Sequence, residues 1–525
     1  MRTLLEPESV DTFGANIVDS DALVLYFPGP KTVTGEDVLE LHVHGGAATV
    51  KAVLSAVRKC SRLALGTVRY AEPGEFTRRA FLNGRLDLAQ VESLGDTLAA
   101  ETEHQRRAAV RGNSGILGKT YDGWREQLLL ARGEIEALID FSEDQHFDES
   151  PTELLTNVRM LVEDMLNSIR VHKLGSQRSE LLRNGIRIAL LGPPNAGKSS
   201  LMNQIVGREA SIVSAEAGTT RDIVEASLDI RGYLCSFADT AGIRTHASEI
   251  ATDDEETPAP TIGSIEEEGI RRARQKALDS DVIIVLASVE ATKSGVHRIS
   301  YDAETLQLAA GAQQCLIAVN KTDVVSPESL GLLIEDFKSS VLVGIDGLQD
   351  KEPLTISCKA AVLPAAAGLT DAGGIHNLTE NLAQSFSDLT SLPSDMQHLL
   401  GVTERQNQLL AECERHLHDF MAEARKTDPY DEPDVVLAAE HLRLAALRLA
   451  SITGRGESGD VEEVLGVIFE KYCLLTSQYA TPANKTTDSV LENDSVTVVV
   501  VQESKTRKKD KKEKKSQSAG SPGRH

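Results

Sequence analysis

"LLGPPNAGKSSL", Leu190 to Leu201, sets a glycine, two prolines and an Asn-Ala-Gly-Lys-Ser run directly after an apolar stretch. That stretch, Ile186 to Leu191, reads as a buried strand, and "SSLMNQIVG" has the spacing of a helix start. From Gly192 to Ser199 the pattern is G-x-x-x-x-G-K-S. Such a turn wraps successive backbone N–H groups and the helix N-terminus around a diphosphate. Its contacts would be Asn195, Ala196, Gly197, Lys198, Ser199 and Ser200, with Lys198 reaching the outer phosphates and Ser199 ligating Mg²⁺. A Gly-rich turn can match this pattern by chance, so the rest of the chain decides.

Downstream, "SFADTAGIR" carries Asp239, Thr240, Ala241 and Gly242, which fit a metal-side Asp and a Gly whose N–H meets a terminal phosphate. "CLIAVNKTD" ends an apolar strand in Asn320, Lys321 and Asp323. An Asp there can accept two hydrogen bonds from the N1–H and N2–H₂ edge of guanine, which adenine cannot offer; a P-loop ATPase is thereby disfavoured. "LTISCKA" follows another strand with Ser357, Cys358 and Lys359, where a backbone N–H can meet the guanine O6. Four such loops in this order, each after a strand, predict a Ras-like P-loop G domain with a mostly parallel sheet. The Gln that orients the attacking water in Ras-like enzymes is missing; Ile243 stands there. Another residue or partner must serve hydrolysis.

At 525 residues the chain is too long for one core. Long amphipathic patterns lie on both sides of the G domain, so an α/β unit inserted in an all-helical domain is predicted. The expected boundaries are a small α+β domain over 1–87, helical parts over 88–183 and 385–476, the G domain over 184–384, and a disordered basic tail over 477–525. Within the G domain, "HASEIATDDEETPAPTIGS" reads as a solvated insertion. A net charge of −24 argues against holding RNA by bulk charge, so any nucleic-acid contact should be local. The tail "KTRKKDKKEKK" is a solvated segment or a weak RNA-binding arm. Six cysteines show neither metal-site spacing nor a disulfide framework, as in a reducing compartment. Cys413, His416 and His418 in "CERHLHDF" read as part of a polar helix face, with no metal assigned. No apolar run reaches the ~18 residues of a spanning helix, and the first residues resemble neither a secretory signal nor a transit peptide.

Several stretches together resemble one family, the tRNA-modifying GTPase MnmE (TrmE), and in particular its mitochondrial members of fungal and animal type. They are "LYFPGPKTVTGEDVLELHVHGG", "PGEFTRRAFLNGRLDLAQVE", "AETEHQRRA", "IDFSED", "GPPNAGKSSL", "AGTTRD" and "SITGRGESGDVEEVLGVIFEKYC", beside the guanine motifs. The resemblance implies a GTPase that pairs its G domains across a homodimer around K⁺. With an FAD protein of the MnmG (GidA, Mto1) type and a folate one-carbon donor, it modifies C5 of the wobble uridine of certain tRNAs, in the mitochondrial matrix.

Carried over, the resemblance makes Asn195, the backbone carbonyls of Ser214 and Glu216, and Thr219 the K⁺ contacts, and Thr220 the second Mg²⁺ ligand beside Ser199. A cation so placed does the work of an arginine finger. Glu266, with Glu267 and Glu268 as alternative registers, would act on the attacking water, answering the missing Gln. Glu40 and Arg85 fall on family contacts to the tetrahydrofolate donor, and Cys473 on the position linked to the modification reaction. The family's opening segment with its early Arg is absent, and its final Cys-Ile-Gly-Lys is here Cys473-Leu474-Leu475-Thr476. The expectation is therefore a truncated N-terminal domain, an intact G domain and an incomplete one-carbon site. The alternative is a GTP-driven assembly or regulatory switch without one-carbon chemistry of its own.

Overall fold

The computed structural model describes residues 1–7, 16–60, 68–141, 151–214, 227–238, 275, 279–292, 295–362, 371, 373–426, 433–455 and 496–503. The chain divides into two compact units, one of residues 1–87 with 459–525 and one of residues 88–458.

In the first unit, strands β1 (Arg2–Leu5), β2 (Ile17–Phe27) and β3 (Asp37–His44) form an antiparallel meander. Apolar residues alternate along β3, and Leu41 and Val43 pack with Ala22 and with Val53 of helix α1 (Ala47–Lys59). A second helix, α2 (Glu75–Leu82), is eight residues long, too short to register in the sequence as a helical period. Val496–Glu503 pairs in parallel with β3. This corrects the disorder expected of 477–525 for those eight residues. The physical reason is the unbroken β-branched run Val496–Val501, which favours extended backbone.

The second unit opens with four helices: α3 (Leu88–Ala99), α4 (Glu103–Gly112), α5 (Ile116–Phe141) and α6 (Pro151–Asn184). An α/β layer follows with helices α7 (Lys198–Gln204), α8 (Ala303–Ala310), α9 (Pro327–Ser340), α10 (Cys358–Val362) and α11 (Ile375–Thr390), and the helical domain resumes with α12 (Glu404–Ala424) and α13 (Val435–Thr453). Leu117, Tyr121, Leu128 and Ile135 of α5 and Val158, Val162 and Ile169 of α6 recur at helical spacing. They share one core with Leu410, Leu417 and Phe420 of α12 and Leu442 and Leu449 of α13. The helical domain is thus a single core built from both sides of the insertion. Buried Glu92 of α3 ties the two sides together, accepting hydrogen bonds from Thr403 Oγ1 (3.1 Å), Gln406 Nε2 (2.6 Å) and Arg405 Nε. The same Arg405 donates to the carbonyls of Ser451 and Ile452, closing the end of α13.

Between them lies an eight-stranded sheet in the order β11-β10-β8-β4-β7-β6-β5, with β9 on the far end of β8. The strands are β4 (Ile186–Leu191), β5 (Ala210–Ser214), β6 (Ser227–Ile230), β7 (Tyr233–Ala238), β8 (Val282–Ala291), β9 (His297–Ser300), β10 (Gln314–Asn320) and β11 (Leu354–Thr355). The pairs from β11 through β7 are parallel, and β7-β6-β5 are antiparallel. Ile186, Ile188, Val282 and Ile284 face one apolar layer, and Ala189, Leu191, Ile283 and Val285 the other. A parallel sheet covered on both faces has no polar side, which is why these strands read as apolar runs rather than alternations.

Candidate nucleotide site

The central strand β4 stops at Leu191, and the chain turns through Gly192 into α7 (Lys198–Gln204). At Gly192 a Cβ would stand 2.2 Å from the Leu286 carbonyl of β8, so only glycine lets the two backbones approach. Gly197 sits at φ 100°, where a Cβ would stand 2.2 Å from Asn320 Nδ2. Asn195 also takes the left-handed conformation, φ 63°, one that Asn tolerates better than most residues. Ala196 is fully buried, while Asn195, Ser199 and Ser200 are exposed around the rim of the turn. The Lys198 ammonium donates to the carbonyls of Gly192 (2.7 Å) and Pro193 (2.9 Å), so it lies directly over the loop.

Two further loops converge here. Buried Asn320, at the end of β10, donates from Nδ2 to the Ala196 carbonyl (2.8 Å) and accepts the Cys358 N–H on Oδ1 (3.2 Å). One side chain therefore holds the phosphate turn, its own loop and the 357–360 loop in fixed register. Lys321 follows at φ 62°, its ammonium 3.2 Å from Glu290. Asp323 accepts the Ser357 hydroxyl on Oδ1 (2.6 Å), and the exposed Lys359 ammonium stands 3.9 Å from its Oδ2. The carboxylate is thus oriented from behind. Burial pushes the Cys358 thiol up to about 11, so this cysteine contributes its backbone N–H and no thiolate.

The first turn of α4 is the seat of the β6–β7 turn. The His104 N–H donates to the Gly232 carbonyl (3.1 Å), and the His104 ring stacks on Tyr233 with centroids 3.8 Å apart and 13° between planes. A capping arrangement fixes that turn: Gln105 Oε1 accepts the Thr102 N–H, and its Nε2 donates to the Arg183 carbonyl (3.0 Å) just before β4. Sequence reading missed His104 and the clamp role of Asn320. A histidine on a polar helix gives no signal of its tertiary partner, whereas an Asn that ends a wholly buried strand could have been flagged as needing one.

The structure brings together Asn195 to Ser200, Asn320, Lys321, Asp323 and Ser357 to Lys359. Glu216, Thr219, Thr220, Asp239 to Gly242, Ile243, Glu266 to Glu268 and Cys473 lie outside the described residues, as does the 246–264 insertion; Ser214 ends β5. In the first unit, Glu40 Oε2 lies 3.0 Å from His42 Nε2 along β3 and accepts its hydrogen bond when that nitrogen carries the proton. Arg85 Nε donates to the Thr32 carbonyl (2.9 Å) of the loop entering β3, and Asn83 Nδ2 to that of Thr34 (2.8 Å). No hydrogen bond or ion pair joins Glu40 to Arg85.

A doubly wound sheet whose central strand feeds a glycine-tight turn and helix, with an Asn-Lys-x-Asp loop and a Ser-Cys-Lys loop clamped against that turn, defines a P-loop GTPase. Mg²⁺, the ion of that class, would meet the exposed Ser199 hydroxyl at the mouth of the cradle. The family follows from comparison of the whole chain. The MnmE helical domain model matches residues 88–473, and the model of the GTP-binding protein TrmE N-terminus matches residues 2–85. The chain is 38% identical over 461 residues to the tRNA modification GTPase MnmE of Paramagnetospirillum magneticum, covering 88% of each. It is 36% identical over 462 residues to the human mitochondrial 5-taurinomethyluridine-[tRNA] synthase subunit GTPB3, covering 86% of this chain and 81% of that one. The zebrafish counterpart is 34% identical over 481 residues, with 90% and 84% covered. The chain belongs to the MnmE (TrmE) family of tRNA modification GTPases, and it is a GTP hydrolase.

Proposed function

We propose that this GTPase is K⁺-stimulated and acts as a homodimer with an FAD protein of the MnmG/Mto1 type. Together they place a carboxymethylaminomethyl or taurinomethyl group on C5 of the wobble uridine of certain mitochondrial tRNAs. The observation that carries the K⁺ reading is Asn195. It occupies a left-handed position that few side chains tolerate, and it presents a carboxamide at the exposed rim of the phosphate turn. An oxygen there suits a hard monovalent cation, with Ser214, Glu216 and Thr219 supplying the rest of its shell. Thr220 and Ser199 hold Mg²⁺, Asp239 and Gly242 meet the metal and terminal phosphate, and Glu266 positions the attacking water. Asp323 reads guanine, with Ser357 bracing its Oδ1 and the exposed Lys359 ammonium 3.9 Å from its Oδ2.

The one-carbon donor is a tetrahydrofolate held by Glu40 and Arg85, with Cys473 serving the modification. Arg85 supports this reading because its exposed guanidinium is anchored through Nε to the Thr32 carbonyl (2.9 Å) in the loop entering β3. The test has two arms. GTP turnover by the purified chain should be much faster in KCl than in NaCl, and Asn195→Lys, which tethers an ammonium at the cation's place, should flatten the difference. Equal rates in the two salts for the parent chain would remove the K⁺ assignment. Mass analysis of wobble uridine in organellar tRNAs from cells lacking the protein tests the modification; unchanged tRNA would leave only a GTP-driven switch.

A further inference from the structure

Helices α12 and α13 both contribute to the helical core, and between them they carry an unusual group. His416 and Asp419 lie three residues apart on α12 and so share a face. His441 comes from α13 opposite. One ligand atom from each of the three lies within 4.8 Å of the others. The two imidazoles approach with ring centroids 6.4 Å apart and 30° between planes. A second observation makes this more than proximity: Nδ1 of His416 and Nδ1 of His441 are both buried without a hydrogen-bond partner. Buried polar nitrogens are normally paired, and two orphans on adjoining rings mark a missing common partner.

We propose that His416, Asp419 and His441 bind a divalent transition-metal ion of the Zn²⁺ type, stapling α12 to α13. Two imidazole nitrogens and one carboxylate oxygen are a donor set that zinc accepts, with water completing the tetrahedron. Zn–N and Zn–O bonds of about 2.0–2.2 Å place tetrahedral ligand atoms roughly 3.3–3.5 Å apart, so closure asks for side-chain movement of about an ångström. Asp419 is exposed and can make that movement. The neighbouring side chains do not supply a better set. Cys413 is fully buried among the apolar residues of the core and does not belong to the trio. His418 is turned away toward Glu414, at 4.0 Å. Arg448, whose charge would oppose a cation, stands 2.9 Å from Glu412 as an ion pair, although its buried Nε, like the two histidine nitrogens, makes no aligned hydrogen bond.

The test uses tag-free full-length chain with GDP and excess MgCl₂, so that the nucleotide site is filled. Equilibrium dialysis against micromolar ZnCl₂, followed by metal analysis, should find one equivalent held by this site. CoCl₂ in its place should give visible absorption of a tetrahedral nitrogen–oxygen site. His441→Gln and Asp419→Asn should each remove the equivalent or weaken it at least about tenfold, and His418→Gln should not. ZnCl₂ should raise the thermal midpoint of the parent chain but not of those two variants. Asp419 is exposed, so its variant keeps the fold even if a histidine variant does not. Parent chain that takes up no zinc, or an Asp419→Asn chain with unchanged zinc content and affinity, would overturn the proposal.

Discussion

Asp323 is the residue proposed to read the base. Its Oδ1 accepts the Ser357 hydroxyl, which fixes the plane of the carboxylate, and the exposed Lys359 ammonium stands 3.9 Å from its Oδ2. Asp323→Asn puts a donor where guanine needs an acceptor. The expected outcome is weaker GTP binding and improved binding of xanthosine triphosphate, whose C2 carbonyl oxygen can accept from the amide. A competition assay with the two nucleotides checks it, and an unchanged preference would mean that the base is read elsewhere. At this scale the sequence was highly legible. Asn320, Asp323 and Ser357 were named from order and spacing alone, because loop chemistry is local. The hydrogen bond from Asn320 to Ala196 was not legible, since it spans 124 residues and is set by the neighbouring positions of β4, β8 and β10. Nor was the attachment of Arg85 to Thr32, which depends on a loop folding back over 53 residues.

Among elements, the end of α4 and the turn before α12 approach each other closely at two glycines. A Cβ on Gly401 would stand 2.4 Å from the Gly112 Cα and 3.1 Å from its nitrogen, both backbone atoms that cannot rotate away. Gly401→Ala should therefore lower stability by roughly 1–3 kcal/mol, the usual cost of overpacking. It should be read as a lower thermal midpoint with GTP affinity little altered. A second element-level test concerns His172 of α6, packed against Trp124 and His398 and hydrogen-bonded through Nδ1 to the Tyr121 hydroxyl at 3.1 Å. Burial, with some help from His398, lowers this imidazole to about 4 from 6.5. Above pH 6.5 it is neutral folded or unfolded and costs nothing. As pH falls from 6.5 toward 4, the unfolded chain takes up a proton that the folded chain resists, and up to about 3 kcal/mol of stability drains away. Urea unfolding of parent and His172→Gln at pH 7 and pH 4.5 should show a smaller loss in the variant. Parallel losses would place the acid sensitivity in other groups. Amphipathic spacing announced these helices; which of them meet was hidden, because their partners lie hundreds of residues away.

For the whole molecule, the α/β layer interrupts a helical domain whose core is shared by residues 117–169 and 399–452. A ribosome releases these two parts far apart in time. The sheet draws its strands only from 186–355, so it can close as soon as it emerges. The apolar faces of α5 and α6, by contrast, must wait with Leu128, Ile135, Val162 and Ile169 uncovered until α12 and α13 arrive. Residues 184–391 made alone should thus fold cooperatively and bind GTP, whereas residues 88–184 alone should be helical by circular dichroism yet aggregate and melt without a sharp transition. A cooperative melt of that second fragment would show that its core closes without the later helices. Nascent chains of this GTPase consequently pass through a stage in which the nucleotide-binding part is finished and the framework around it is half built. A premature stop in that interval would yield a product able to hold GTP but marked for chaperones or proteases by its own unclosed helices.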